Sequence, residues 1–400
     1  MKVSFRPKII RTATVALSLN YLLRGQLAFL SRYYDVTAVS GADDDLIQVA
    51  AREKVSTIAI EMQRKISPLQ DLKSLWHLYR LFKKERPLIV HSITPKAGLL
   101  TMMAGYFAGV PIRIHTFTGL IFPTRKGMMQ KLLIFTDRIL CYCATNIYPE
   151  GQGVKSDLIS YKITTKKLQV LANGNVNGID TMYFDSGLIS TTEKQHLKTI
   201  LGIAADDFVF IFIGRLVGDK GINELIQAFQ QLSGESAAVK LLLVGPFEAD
   251  LDPLRPETLQ LINSNQQVLS VGFQQDVRPY FAISDCLIFP SHREGFPNVV
   301  IQAGAMGLPS IVTNINGCNE IIIEGQNGVI IPVNDSNALY NAMKKIVAND
   351  TFRLQLEQNA RRMIVSRYEQ QVVWNAILAE YKKLEKVTGT MNLIENKIRR

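Results

Sequence analysis

From Pro290 to Glu320 the chain reads PSHREGFPNVVIQAGAMGLPSIVTNINGCNE, about thirty residues holding a loop, a helix, a turn and a strand. Leu287-Ile288-Phe289 is an apolar run of strand length that stops at Pro290, and Ser291 to Pro297 is rich in turn residues. Asn298 to Met306 has helical composition, Gly307-Leu308-Pro309 ends it, and Ser310 to Thr313 resumes as a strand. The first N–H groups of that helix lack intrahelical partners and face the loop, with Glu294 just outside them. An anion cradle beside a lone carboxylate suits a phosphorylated sugar, whose phosphates take the N–H groups and whose hydroxyls take the acid.

Working outward, apolar runs of strand length alternate with helical stretches on both sides. In the first half the strands are Ile9–Leu19, Asp35–Val39, Thr57–Ile60, Leu88–His91, Arg113–Thr116 and Asn146–Pro149. The helices between them are Gln26–Arg32, Pro68–Glu85, Lys96–Ala108 and Lys126–Thr145, with Asn20 to Gly25 read as a loop. In the second half the strands are Phe208–Ile213, Val239–Val244, Val268–Val271, Cys286–Phe289, Ser310–Thr313 and Gly328–Pro332. Such alternation predicts βαβ units and parallel sheets. Leu168 to Phe184, with its Asn and Gly cluster, reads as a connector. The division is an N-terminal domain over 1–172, a C-terminal domain over 173–368, and a segment over 369–400 whose helix near Gln370–Lys386 packs back toward the first domain and whose tail, Val387–Arg400, is polar and frayed. Two doubly wound α/β halves facing a central cleft is the simplest account.

Residues 1–190 carry 25 Lys and Arg against 13 Asp and Glu, whereas residues 191–400 carry 20 against 22. A basic half beside a near-neutral one predicts different partners: anionic lipid or a pyrophosphate-bearing acceptor for the first. No Arg/Lys-aromatic module of a nucleic-acid binder is visible, so nucleic acid is not an expected partner. Cys141, Cys143, Cys286 and Cys318 have no zinc spacing and read as core thiols of a reducing compartment. The start, MKVSFRPKIIRTATVALSLNYLLRG, has a basic head and an apolar patch, but Ser18 and Asn20 interrupt the patch and no small-x-small cleavage site follows. No run reaches the ~18 apolar residues of a spanning helix. The expected location is the cytoplasm, at the inner face of the membrane.

With these blocks in order, together with HSITPKAGLL, IRIHTFTGL and NGNVNGID, the chain resembles the family 4 retaining glycosyltransferases of GT-B fold over essentially its full length. Within them it is most similar to bacterial enzymes that extend undecaprenyl-diphosphate-linked oligosaccharides for surface polysaccharide or glycoprotein synthesis. In Phe212-Ile213-Gly214-Arg215-Leu216-Val217-Gly218-Asp219-Lys220-Gly221 a strand ends at Gly214 and two cations precede a helix. Fixed cations at that place stabilise a departing diphosphate, and the resemblance gives Arg215 and Lys220 this role. Glu294 and Gln302 stand eight apart, as in the family's E-x7-E motif, so Glu294 is expected to hold hydroxyls of the transferred sugar. The second position normally grips the ribose hydroxyls through a carboxylate; here an amide stands, with one acceptor oxygen and two donors. Gly214, Phe273, Gly295, Phe296, Asn298 and Val299 complete the expected donor pocket. His115, after the strand Arg113-Ile114, is expected at the reacting centre beside Arg215, Lys220 and Glu294, whereas His91 reads as a hydrogen-bonded support of the sheet.

For the acceptor, Lys96 joins a cation to a helix start, and with Asn20, Arg24 and Gly25 it is expected to form a pyrophosphate pocket. Plain exposed first-turn residues are the other reading. The apolar run Leu132–Cys143 behind Lys126–Lys131 is either a basic, greasy membrane surface or a core helix, and Asp137 in its middle favours the core. The resemblance implies a UDP-sugar donor, a lipid-diphosphate-linked saccharide acceptor and no essential metal. The rival readings are a nucleotide-sugar epimerase of the same fold, a non-catalytic binding protein suggested by Gln302, and a nicotinamide dehydrogenase. The missing Gly-x-Gly-x-x-Gly argues against the last.

Overall fold

The computed structural model describes residues 6–63, 67–248 and 252–398, with backbone only from 390 onward. Met1 to Phe5 of the N-terminal stretch and Arg399-Arg400 of the tail lie outside the described residues. The chain forms two compact units, one of residues 1–178 with 371–400 and one of residues 179–370. The division thus falls after Gly178 rather than at residue 172.

In the first unit the elements run β1 (Lys8–Thr12), α1 (Ala16–Leu22), α2 (Gln26–Leu30), β2 (Asp35–Ser40), α3 (Asp44–Glu53), β3 (Ser56–Ala59) and α4 (Pro68–Glu85). They continue with β4 (Ile89–Ser92), α5 (Pro95–Ala108), β5 (Ile112–Phe117), α6 (Gly127–Cys143), β6 (Asn146–Pro149) and α7 (Gln152–Ser160). The sheet order is β3-β2-β1-β4-β5-β6, all parallel, with Ile9 opposite both Val36 and Ile89. A strand flanked by strands on both edges and by helices on both faces has no wet side, which is why Ile9 and Ile10 run consecutively apolar. On one face Leu78 and Phe82 of α4 pack with Met102 of α5 and Leu140 of α6. The other face holds Leu19, Leu27 and Val49 together with Val373, Ile377 and Tyr381 of the last helix.

In the second unit the elements run α8 (Thr191–Ile200), β7 (Phe208–Ile213), α9 (Ile222–Glu235), β8 (Val239–Val244), α10 (Pro256–Ser264), β9 (Val268–Ser270) and α11 (Arg278–Ala282). There follow β10 (Cys286–Phe289), α12 (Asn298–Ala305), β11 (Ser310–Thr313), α13 (Cys318–Ile321), β12 (Gly328–Ile331), α14 (Ser336–Ala348) and α15 (Asp350–Tyr368). Its parallel sheet has the order β12-β11-β10-β7-β8-β9. Helix α16 (Gln370–Ile398) then returns the chain to the first unit.

Both sheets therefore reverse their winding once, between β1 and β4 in the first unit and between β7 and β10 in the second. The loops leaving two adjacent strands part there and open a crevice at the carboxyl edge.

Several expectations are corrected. The first strand ends at Thr12 rather than Leu19, because the Thr14 N–H donates to Thr94 Oγ1 (2.8 Å) and the chain leaves the sheet for α1. Asn20 thus lies in a helix, not a loop. Helices α3, α7 and α8 were not predicted, although Asp43 caps α3 through the Leu46 N–H (3.1 Å) and a Ser190–Glu193 capping box opens α8. The terminal helix continues past Lys386 to Ile398, and Gly389 does not stop it. Most consequential is α6. Its apolar run predicts a core helix, but only Leu140, Cys141 and Cys143 of it are buried, while Met128, Leu132, Phe135 and Tyr142 are exposed. All four cysteines are buried free thiols.

Candidate active site

At the β7/β10 switch point of the second unit three of the expected donor residues, Arg215, Lys220 and Glu294, come together. Beyond β7 the chain passes Gly214 and Arg215, makes a 3₁₀ turn over Gly218–Lys220, and enters α9 through Gly221 at φ 73°. A Cβ on Gly221 would lie 2.1 Å from the Pro290 carbonyl oxygen, so only glycine lets this loop close on the end of β10. Three further links hold the loops together. The His292 N–H donates to the Asp219 carbonyl (2.8 Å), Arg293 Nη2 pairs with Asp219 Oδ2 (3.1 Å), and Thr313 Oγ1 donates to the Ser291 carbonyl (2.5 Å).

The closure brings Lys220 against Glu294, whose Oε1 accepts from Lys220 Nζ and from Ser291 Oγ at 3.2 Å. The ammonium also lies 5.9 Å from the centroid of the Phe289 ring. Arg215 pairs with Glu248 at 2.8 Å and is 44% exposed, so its guanidinium is open to a ligand on the other side. That hydrogen bond raises the Arg215 pKa further, and the group stays cationic throughout. Helix α12 starts at Asn298 after an extended Pro297, which supplies no side-chain cap. Cations, a helix amino end and a carboxylate hydrogen-bonded at one oxygen are thus gathered at one crevice. That set has the chemistry suited to a diphosphate and, beside it, to hydroxyl groups.

Gln302 lies one turn into α12, partly exposed, and its amide makes no hydrogen bond to a described residue. Phe273 stands three residues beyond β9 at the same edge of the sheet and is 71% exposed. Phe296 does not join the pocket. It is buried and packs edge-on against Tyr368 with centroids 5.6 Å apart, because the turn that exposes Glu294 turns the next apolar side chain inward. Val299 likewise packs against the core. Ser291, Arg293 and Glu248 were missed by sequence reasoning, as were the Asp219 links. The crowding of polar residues in Ser291-His292-Arg293-Glu294 signals Ser291 and Arg293, whereas nothing local marks Glu248 or the Asp219 links.

In the first unit the expected residues are dispersed. His115 is 1% exposed, its Nδ1 bonds Ser92 Oγ (2.8 Å), and its ring meets Phe117 edge-on. Gly98 makes the room: a Cβ there would lie 2.4 Å from His115 Cε1. Burial pushes its pKa down to about 3, so the ring is neutral and braces β4 against β5 instead of presenting itself to a ligand. His91 supports the sheet as expected, bonding Tyr381 OH (2.5 Å) and Thr116 Oγ1 (2.8 Å). Asn20 is buried among Asp45, Gln48 and Arg52. The Gly25 N–H donates to Glu53 (2.8 Å), and the Arg24 carbonyl accepts from Asn177. Lys96 turns instead to Asp71, at 2.8 and 3.0 Å. The four are engaged by different partners rather than drawn into one cluster.

Comparison with known proteins identifies the family. Residues 193–363 match the family described as "Glycosyl transferases group 1", and residues 15–150 match "Glycosyl transferase 4-like". The capsular polysaccharide biosynthesis glycosyltransferase CapM of Staphylococcus aureus is 33% identical over 94% of this chain and 96% of its own. The UDP-Gal:alpha-D-GlcNAc-diphosphoundecaprenol alpha-1,3-galactosyltransferase of Escherichia coli is 29% identical over 76% of this chain and 78% of its own. Among solved structures, Anabaena HepE in complex with UDP superposes with a TM-score of 0.78 at 18% identity, covering 95% of this chain and 100% of that one. A glycosyltransferase of Rickettsia africae gives 0.78 at 20%, covering 95% and 99%. The chain belongs to the group 1 glycosyltransferases of bacterial polysaccharide synthesis, built on the GT-B fold.

Proposed function

We propose that the chain moves a hexosyl or N-acetylhexosaminyl group, with retention, from a UDP-linked donor to a saccharide carried on a lipid diphosphate. The observation that carries this reading is the Lys220–Glu294 pair at the β7/β10 crevice, beside Arg215 and the start of α12. In the donor complex Lys220 and Arg215 turn to the diphosphate and Glu294 to the hydroxyls of the sugar. The C1–O bond to phosphate breaks while the acceptor oxygen bonds C1 on the same face. The departing phosphate oxygen takes the acceptor's proton, and the two cations hold the charge that develops, with no metal required. The activity that names the Escherichia coli relative and the UDP in HepE support the nucleotide and the acceptor class.

The same reading places the first unit at an anionic membrane surface. Leu69, Leu72 and Trp76 of α4, Phe107 of α5, and Met128 and Phe135 of α6 are exposed. Lys73, Arg80, Lys83, Lys131 and Arg138 come from these same helices. No helix among the described residues is long and apolar enough to cross a membrane, so the contact is interfacial. Vesicles containing phosphatidylglycerol should co-sediment the protein at low salt and release it at high salt.

The direct test is a panel of nucleotide sugars with a short polyprenyl-diphosphate-linked saccharide, read by mass spectrometry, with the product anomer read by NMR. Transfer only to free sugars overturns the lipid acceptor, and an inverted anomer overturns retention. A new epimer formed from donor alone favours an epimerase.

A further inference from the structure

The first unit has a crevice of its own. A cavity of about 470 Å³ lies beyond the carboxyl ends of β1, β4 and β5, lined by Thr14 and Ser18 after β1, Thr94 to Lys96 after β4, and Phe117 and Gly119 at β5. This is the β1/β4 switch point, the counterpart of the donor crevice in the second unit.

Its chemistry differs from that of the donor crevice. The walls are Leu99 and Leu100 of α5, Leu132 and Leu133 of α6, and Leu120 and Phe122 between β5 and α6. Charge enters at two points. One is the Asp71–Lys96 pair, set at the first turn of α5. The other is Asp137 of α6, which makes no hydrogen bond or ion pair to a described residue. A saccharide filling this space would leave most of its hydroxyls facing leucines, at a cost for each unmet bond. A branched hydrocarbon chain would not. Nor does the apolar lining end at the rim: Ile121 and Leu132 are 43% and 44% exposed and lead onto the outer face of α6 with Phe135 and Met128.

We propose that this cavity receives the isoprenoid segment adjoining the diphosphate of a lipid-linked acceptor, with the diphosphate toward Lys96 and the chain leaving across α6. The proposal rests on the lipid-acceptor reading above and adds a site to it. Lys96 at a helix start supplies the cationic pole that takes the diphosphate, and Asp71 holds the ammonium in position until a phosphate competes for it. The continuous path from cavity to exposed α6 lets the far end of the chain remain in a bilayer.

Farnesyl diphosphate is the probe, titrated calorimetrically into the full chain with saturating UDP present to occupy the donor crevice. We expect it to bind at least ten-fold more tightly than inorganic diphosphate. Thr136→Phe and Leu133→Trp, which fill the cavity, should each weaken it at least ten-fold. Hydrogen exchange in the unmodified protein needs no variant: farnesyl diphosphate should slow exchange in α5 and α6. Unchanged binding to the filled variants, or protection confined to other elements, overturns the site. Transfer to a lipid-linked saccharide that Thr136→Phe leaves unchanged also overturns it, with the proposed function standing. Conversely, cavity binding without transfer to any lipid-linked saccharide supports the site and overturns the function.

Discussion

At the scale of single residues, the proposed chemistry rests on charges that hold one another until a ligand competes for them. Lys220 and Glu294 are each less than one-fifth exposed and neutralise each other, and a diphosphate is the kind of ligand that separates them. Removing a donor from a developing negative charge typically costs about 3–4 kcal/mol. Lys220→Ala and Arg215→Ala should therefore each lower single-turnover transfer roughly 10²–10³-fold. A fall of less than about three-fold in either purified variant would remove diphosphate stabilisation from the account. Gln302 invites the opposite substitution. Its amide makes no hydrogen bond to a described residue one turn into α12, and a carboxylate there would accept two ribose hydroxyls by charge-assisted bonds. Gln302→Glu should lower the donor KM about ten-fold with little change in kcat; an unchanged or higher KM would place the ribose elsewhere. The spacing of Glu294 and Gln302 is legible in sequence because both lie on one short loop-helix segment. The inward turn of Phe296 is not, since it depends on Tyr368 standing opposite.

At the scale of elements, α6 shows how composition misleads. A helix reading GMMQKLLIFTDRILCYC looks like core, yet most of its length has solvent on the outer side and the cavity on the inner. Asp137 belongs to that inner side, and burial pushes its carboxyl up to about 7 from 3.8. Unfolding lets the group ionise near pH 4, so between about pH 4 and 7 the folded state holds a proton that the unfolded state has released. Stability therefore falls as pH rises through that window and levels off above it, with about 4 kcal/mol as the ceiling for a shift of this size. Asp137→Asn should remove the fall: equal to wild type near pH 4 in urea unfolding, and more stable at pH 8. Equal stability at both pH values would mean that the carboxyl is well solvated. Strand positions such as Asn146–Pro149, Phe208–Ile213 and Cys286–Phe289 match the sequence reading residue for residue. Each is a short apolar run between turn residues, and that signal is local.

At the scale of the whole molecule, α16 completes the first unit from the far end of the chain. Val373, Ile377 and Tyr381 are buried there, and burial of each such side chain contributes about 1.5–3 kcal/mol, together comparable with the net stability of a domain. Truncation after Gln370 should leave residues 1–178 unfolded or aggregated, seen as protease cleavage throughout them; resistance equal to that of the full chain would refute this. Tyr381→Phe is the milder case. It strips a partner from Arg11 Nη1 (3.0 Å) and His91 Nδ1 (2.5 Å) and should cost about 1–3 kcal/mol. The sequence by itself determined the two series of alternating strands and helices, their order, and the motif spacing around Glu294. Periodicity and turn chemistry act between near neighbours and are written along the chain. Only the tertiary structure decided that Lys220 meets Glu294 across 74 residues, that Lys96 turns to Asp71, that His115 is enclosed and that α6 is not. Burial and pairing depend on what stands opposite, and that is set by how the sheets wind.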